Sequence, residues 1–224
     1  GGGLAGIVTA VQLLRAGRSV TLVDRDTPER FGGLALWAFG GMALVGTSLQ
    51  RRMKIPDSPE IALRDWVRFG ELDPADTRSM DWAKHYVERS GSEVYDWLLT
   101  EGFKFLPAVN WVERGRFGEG NSLPRYHMIW GCARELILRF TEALRRADAG
   151  GRLRLLHRHR VVSLQREAGR LSGAVAIDET SGAGVRLNAP IVVLAMGGLN
   201  GAHEECRANW PRHYPRPTTM LNGA

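Results

Sequence analysis

The chain opens on Gly1-Gly2-Gly3-Leu4-Ala5-Gly6, and the Gly1-x-Gly3-x-x-Gly6 spacing is one that can hold a phosphate chain. The first glycine permits a tight turn, the second lets backbone approach a pyrophosphate, and the third lets a helix pack closely on a strand. The anion then rests on backbone N–H groups at the positive end of a helix. Asp24 stands eighteen residues after Gly6, where a carboxylate can accept hydrogen bonds from ribose hydroxyls. Its charge disfavours a 2′-phosphate, although Arg25 beside it weakens that inference.

Two later segments repeat the glycine theme. In Arg30-Phe31-Gly32-Gly33-Leu34-Ala35-Leu36-Trp37-Ala38-Phe39-Gly40-Gly41-Met42, two double glycines flank an apolar segment. Such a segment can lie along a long, flat, partly anionic ligand, with backbone amides facing phosphate and ring. A buried glycine-rich core loop is the alternative. Val192-Val193-Leu194-Ala195-Met196-Gly197-Gly198 is an apolar run emptying into a double glycine, suited to backbone contact near adenosine and pyrophosphate. Upstream of it, Val161 can offer its main chain to an adenine.

These residues need a frame. Leu4, Ile7, Val8, Val11 and Leu14 fall at helical spacing, and Gly17 is placed to end the helix. Ser19 to Val23 reads as a short strand ending at Asp24. Turn, helix, strand and acid make the first half of a dinucleotide-binding unit. In such folds an apolar strand leads into the glycine turn at the centre of a parallel sheet. None precedes Gly1, so the expectation is an α/β fold lacking its first strand. Ser58 caps a helix running to Phe69, with Pro59 in its first turn. A second helical run covers about Ser79 to Glu101 and closes at Gly102, and a third covers Cys132 to Ala147. Residues 103–121 read as loop. Strands are expected at 153–157, 161–166 and 171–177, forming a small antiparallel layer, and at 191–195 as a return strand into the main sheet.

Composition narrows the classes. Of 224 residues, 44% are hydrophobic and 24% charged, which fits a folded globular chain and not a disordered one. The net charge of +6 comes mostly from arginines interleaved with acids, not from a clustered stripe, so nucleic acid is not expected as a partner. A positive field serves equally to draw in an anionic cofactor. The uncharged stretch Phe31–Gln50 has the length of a membrane span, but its five glycines favour a loop packed on a ligand. No charged leader precedes an apolar run, and Cys132 and Cys206 are too few for a disulfide framework or zinc site. They read as inert thiols, and a cytoplasmic location is expected. His157 and His159 alternate on one strand without a third ligand, so no metal is expected. Trp37 is the one tryptophan with a prospect of touching cofactor; the others are expected in the core or at interfaces.

Together the three glycine elements and Asp24 resemble the superfamily of fumarate reductases, succinate dehydrogenase flavoprotein subunits and 3-ketosteroid Δ1-dehydrogenases. Within it, the FAD-binding dehydrogenases are echoed by the Gly32–Met42 loop, by Gly120-Asn121-Ser122-Leu123-Pro124-Arg125-Tyr126-His127, and by Gly197-Gly198 running to Asn209-Trp210-Pro211. The resemblance implies a Rossmann-like domain binding extended FAD. Gly1, Gly3 and Gly6 match the pyrophosphate turn and Asp24 the ribose acid, with Arg25 beside it. Gly32, Gly33, Leu34, Ala35, Ala38, Phe39, Gly40 and Gly41 match the loop on the flavin side. Val161 matches the adenine clamp, and Ala195, Gly197 and Gly198 the late turn. Met196 stands where the family usually has Thr, and Asp24 replaces the commoner Glu.

Family members move a hydride between flavin N5 and a carbon next to a carbonyl, so a small carbonyl substrate is implied, steroid-like or a dicarboxylate, with an electron acceptor the residues do not name. The whole chain, 1–224, is then an FAD-binding domain truncated at both ends. Residues 57–150 are its mainly helical insertion, and 151–198 its antiparallel layer and return strand. The resemblance implies that the cap with the catalytic groups is not among these residues, and the fragment alone is expected to be inactive. Arg125, Tyr126 and His127 are the local candidates for lining the flavin cavity; the alternative is a packed loop whose polar groups are satisfied. Two rivals remain open. A plain NAD(P)-dependent dehydrogenase needs only the first glycine motif and leaves Gly32–Gly41 unexplained. A truncated, non-catalytic nucleotide-binding module needs no chemistry at all.

Overall fold

The structure is a computed structural model in which residues 1–114, 119–148, 150–198 and 202–219 are described. It divides into two compact units: Gly1–Ala38 with Leu136–Ala224, and Phe39–Glu135.

In the first unit, α1 (Leu4–Arg15) buries Ile7, Ala10, Val11 and Leu14, the stripe its spacing predicts. Gly17 ends it at φ +77: its N–H donates to the Leu14 carbonyl, and the N–H of Arg18 to that of Leu13. β1 (Val20–Val23) follows and pairs in parallel with β5 (Leu153–Leu156), Val20 opposite Leu153 and Val23 opposite Leu156. β6 (His159–Glu167), β7 (Arg170–Asp178) and β8 (Gly184–Asn188) form an antiparallel sheet in that order. Ala168 and Gly169, both at positive φ, make the tight turn between β6 and β7. The fold is thus α/β, with a parallel pair and antiparallel layers.

Two strand expectations change here. Residues 191–195 join no ladder among the described residues, and Ile191, Val193 and Leu194 are exposed. β-forming side chains alone supply no partner for backbone N–H and C=O groups. β8 has a weak pattern, Gly-Val-Arg-Leu-Asn, and is held by pairing: its Leu187 is buried opposite Ala174 of β7.

The second unit carries β2 (Gly41–Ala43), β3 (Phe105–Asn110) and β4 (Tyr126–Ile129) as an antiparallel sheet ordered β2-β4-β3. This unit spans Phe39–Glu135, and within 57–150 the strands β3 and β4 join the expected helices. β3 was hidden by Pro107, which gives a ladder no N–H, and the pairing with β4 shifts register between Phe105 and Val109. The helices are α2 (Ser48–Arg52), α3 (Pro59–Phe69, capped by Ser58), α4 (Thr77–Arg89, capped by Asp76) and α5 (Trp97–Thr100). A π-helical stretch, Ser90–Asp96, lies between the last two. Leu44, Leu49, Tyr95 and Val109 form one buried cluster of this unit, with Met42 and Phe105 packed on it, and Val45, Ala62 and Val87 another. α6 (Cys132–Ala147) has its expected bounds; from Leu136 on it belongs to the first unit, where it buries Leu136, Ile137, Phe140 and Leu144. Among the described residues no helix is long and apolar enough to cross a membrane.

Candidate functional site

α1 starts at Leu4 with Gly3 as its N-cap, so no capping side chain closes its amino end. A helix in that state presents N–H groups to an anion. A β-carbon on Gly1 would run into the Ala195 carbonyl oxygen, and one on Gly6 into the Gly1 carbonyl, with the Ala195 methyl 3.5 Å away. A β-carbon on Gly3 would meet nothing within 4 Å. Gly1 and Gly6 are thus glycines because backbone passes there, and Gly3 is the one that faces open space. Gly33, at φ +59, lies against Gly3: its β-carbon would sit 3.3 Å from the Gly3 Cα. The first turn, the first double glycine and the start of the late turn therefore come together in one unit.

Asp24 joins them. Its Oδ2 accepts the Gly2 N–H, and its Oδ1 accepts the Asp26 N–H at 2.9 Å. The backbone fixes it between strands, since its N–H donates to Leu156 and its carbonyl accepts from His159. Gly2 was missed in the sequence as a mere spacer. It is buried, and a β-carbon there would strike the Phe31 ring and the Asp24 carboxylate. Phe31, also missed, is buried beneath the turn and meets His157 edge-on at 5.2 Å. The one available signal was the aromatic directly before Gly32-Gly33.

Around this centre, Gly32 turns at φ +134 against Ile137 and Leu36. Leu34 and Ala38 are exposed and Ala35 is half-buried. Arg25 is paired with Glu179 at 3.1 Å, and Arg160 reaches the same carboxylate at 3.0 Å. Val161 lies on β6, an edge strand, where the β6–β7 register slips between Val161 and Ser163. Gly197 has φ +75 with open space around it, and Gly198 is exposed. His157 and His159 do not share a strand, because the chain kinks at Arg158, φ +58. Trp37, Trp82, Trp111 and Trp130 are exposed, so Trp82, Trp111 and Trp130 are not core residues of this chain. Cys132 and Cys206 form no disulfide. No group of three metal-ligating side chains is found among the described residues.

The remaining candidates lie in the second unit. Gly40 turns at φ +84, and a β-carbon there would sit 2.5 Å from the Ala133 nitrogen. At Gly41 a β-carbon would fall inside the Tyr126 ring. Phe39 stacks on the Tyr126 ring at 6.1 Å, and Trp111 meets it edge-on at 5.8 Å. Tyr126 is half-buried on one face of β4, His127 is buried on the other, and Arg125, directly before the strand, is buried too.

Arg125 grips Asp57 with Nε and Nη2 (2.9 and 2.8 Å) and Asp65 with Nη1 (2.7 Å). The Asp57 and Asp65 side chains are 0% and 2% exposed. Burial works against the Arg125 charge, but the two aspartates outweigh it and hold its pKa above the ordinary value. Burial likewise pushes the Asp65 carboxyl up, but bonds from Ser122 and Arg125 leave it below the usual carboxylate range. His127 is fully buried; its Nδ1 faces the Arg125 carbonyl and its Nε2 the Thr47 hydroxyl, both at 2.7 Å. Burial lowers its pKa, against the raising effects of the Arg125 carbonyl and Asp57. A neutral ring with the proton on Nδ1 satisfies both partners. Gln50 completes the set, donating to Asp57 at 2.9 Å and to the Pro124 carbonyl at 3.0 Å. Arg125 and His127 thus fit the packed, satisfied loop that the sequence left as the alternative. Thr47, Gln50, Asp57 and Asp65 were not foreseen.

The family model of the FAD binding domain matches residues 1–221. A KsdD-like steroid dehydrogenase of Mycobacterium tuberculosis is 38% identical over 241 residues, covering 100% of this chain and 42% of that protein. Another, of Mycolicibacterium smegmatis, is also 38% identical, with 44% of its length covered. The chain therefore spans about two fifths of these relatives. Among solved structures, a Rhodococcus jostii 3-ketosteroid-Δ4-(5α)-dehydrogenase in complex with 4-androstene-3,17-dione superposes with a TM-score of 0.73 at 24% identity, over 93% of this chain and 47% of that one. A flavocytochrome c3 fumarate reductase in its open conformation gives 0.73 at 26% identity, over 93% of this chain and 34% of that one.

Proposed function

The chain belongs to the FAD binding domain family, and from that premise we propose that it carries the FAD site of an oxidoreductase acting on a carbon next to a carbonyl. In this reading the pyrophosphate rests on Gly1, Gly3, Gly6 and the amino end of α1. Asp24, with Arg25 beside it, accepts from the ribose, and Val161 offers edge-strand backbone to the adenine. Ala195, Gly197 and Gly198 border the turn. Gly32, Gly33, Leu34, Ala35, Ala38, Phe39, Gly40 and Gly41 serve the flavin side. Bound FAD supplies hydride chemistry at N5, while these residues bind and orient it. The observation that supports the reading is the open face of Gly3, bordered by Gly33 and close to Asp24, at an uncapped helix end. Membership in this family disfavours the NAD(P) rival.

The substrate we propose is an uncharged ketosteroid-like compound. Both curated relatives are called steroid dehydrogenases. Arg125, the cation among the local candidates, already serves Asp57 and Asp65 and so does not favour a dicarboxylate. A cytoplasmic setting is part of the proposal, in keeping with two cysteines that form no disulfide. The test is to purify the complete gene product. It is expected to be yellow, absorbing near ~450 nm as flavins do, to release FAD on acid treatment, and to change its flavin spectrum with 3-ketosteroids and not with succinate or fumarate. A colourless protein that takes up no added FAD overturns the reading.

A further inference from the structure

We propose that Arg125 and His127 are positioning residues that act through Tyr126, locking β4 so that the Tyr126 ring stays across Gly41 and fixes the Phe39–Gly41 corner. The proposal rests on the reading that this corner faces FAD.

Strand alternation separates the two tasks. Arg125 and His127 point into the unit, where among the described residues no buried side-chain nitrogen or oxygen lacks a partner. Gln50 N–H donates to Thr47 Oγ1 at 3.1 Å, the Thr47 hydroxyl to His127 Nε2, and His127 Nδ1–H to the Arg125 carbonyl, which also accepts the Leu44 N–H at 3.0 Å. The guanidinium is held by α3 through Asp65 and by the preceding loop through Asp57. The Tyr95 and Phe105 rings wall the imidazole edge-on at 5.5 and 6.1 Å. A one-residue slip of β4 would turn all of this to the other face and bring Tyr126 inward.

Tyr126 uses the register so defined. It stands opposite Ala43, and its ring reaches diagonally to Gly41, which lacks the β-carbon that would displace it. Phe39 stacks on this ring, and Trp111 closes on it from φ +59, a strained conformation for so bulky a residue. Apolar residues of equal volume would fill the buried side as well as an ion triad does. Directional bonds add what packing alone does not, a single register.

The test uses the complete protein with His127→Phe, His127→Gln, Tyr126→Leu, the His127→Phe/Tyr126→Leu double variant, and Leu98→Ala as a control in the same unit's core. Three readouts apply: near-UV circular dichroism of the apoprotein, FAD affinity by titration, and visible circular dichroism of bound FAD. His127→Phe should flatten the aromatic near-UV signal and weaken FAD binding about tenfold, the scale of one buried hydrogen bond. His127→Gln, whose amide oxygen can accept from Thr47, should recover most of both. Tyr126→Leu should weaken FAD by a similar factor, and the double variant should be no worse than either single. Leu98→Ala should lower Tm while leaving FAD affinity and visible spectrum unchanged. A His127→Phe protein with full FAD affinity overturns the positioning role while leaving FAD binding intact, and so does full additivity with Tyr126→Leu. A wild-type protein that takes up no FAD overturns the cofactor reading and this proposal with it.

Discussion

The glycine turn of the first unit and strand β4 of the second are both polar, and both carried candidates for touching a ligand. They differ in what is left over. At the turn, Gly1 and Gly6 are crowded by backbone and Gly2 by the Phe31 ring and the Asp24 carboxylate, while Gly3 faces open space at a helix end without a capping side chain. On the inner side of β4 each charge and ring nitrogen is taken: Arg125 by two aspartates, His127 by Thr47 and a carbonyl. Residue type alone would rank Arg125 and His127 above any glycine as a ligand contact. Unfilled bonding capacity ranks them the other way.

The sharpest break of this contrast is Arg125→Met. Removing the guanidinium strands two buried carboxylates, and the expected loss is about 3–5 kcal/mol of stability. It should be read as a fall in Tm of the apoprotein, with phosphate-bearing ligands still recognised at the glycine turn by any molecules that remain folded. A stable Arg125→Met protein that has lost only substrate binding would return Arg125 to the substrate.

Gly3→Ala tests the other side with the opposite signature. The backbone at Gly3, φ −76 and ψ 179, suits any residue, and a methyl there meets no protein atom within 4 Å. Apoprotein stability should therefore stay within about 0.5 kcal/mol of wild type. FAD affinity should fall by about ten- to a hundredfold, because the methyl occupies the approach of the pyrophosphate. Calorimetry and FAD titration on one preparation decide it. Unchanged affinity would move the ligand away from Gly3.

The same contrast explains what could be read in the sequence. The glycine spacing, α1, β1 and Asp24 were legible because their constraint is local: a turn, a helix stripe and an acid at a strand end. Gly33 against Gly3 was foreseen in kind, since a double glycine beside an apolar run marks close backbone approach. The β4 network was not. Arg125 lies 68 residues from Asp57 and 60 from Asp65, and pairing across such distances leaves no periodic trace. β3 was obscured by Pro107 and β4 by its brevity. The segment 191–195 misled in the reverse direction, having strand composition without a ladder.

The smallest expected effect is a pH dependence confined to the closed side. His127 faces the Thr47 hydroxyl, the Arg125 carbonyl and the Tyr95 and Phe105 rings, with Asp57 the nearby charge acting on it. Its pKa is lowered in the folded protein, so between that value and the ordinary one of about 6.5 the unfolded chain binds more protons. Stability from the neutral ring is full above the ordinary value and declines as pH falls below it, by at most about 1.4 kcal/mol per pH unit. Asp65, with its pKa below the usual range, contributes a separate loss only in stronger acid. Apoprotein Tm measured from pH 8 to pH 5 should fall more steeply for wild type than for His127→Gln, which has no proton to bind there. Gly3→Ala adds or removes no titratable group, so it should keep the wild-type slope. Equal slopes for wild type and His127→Gln would mean the imidazole titrates alike in both states, and the buried ring would then not be the closed, neutral partner of Thr47 described above.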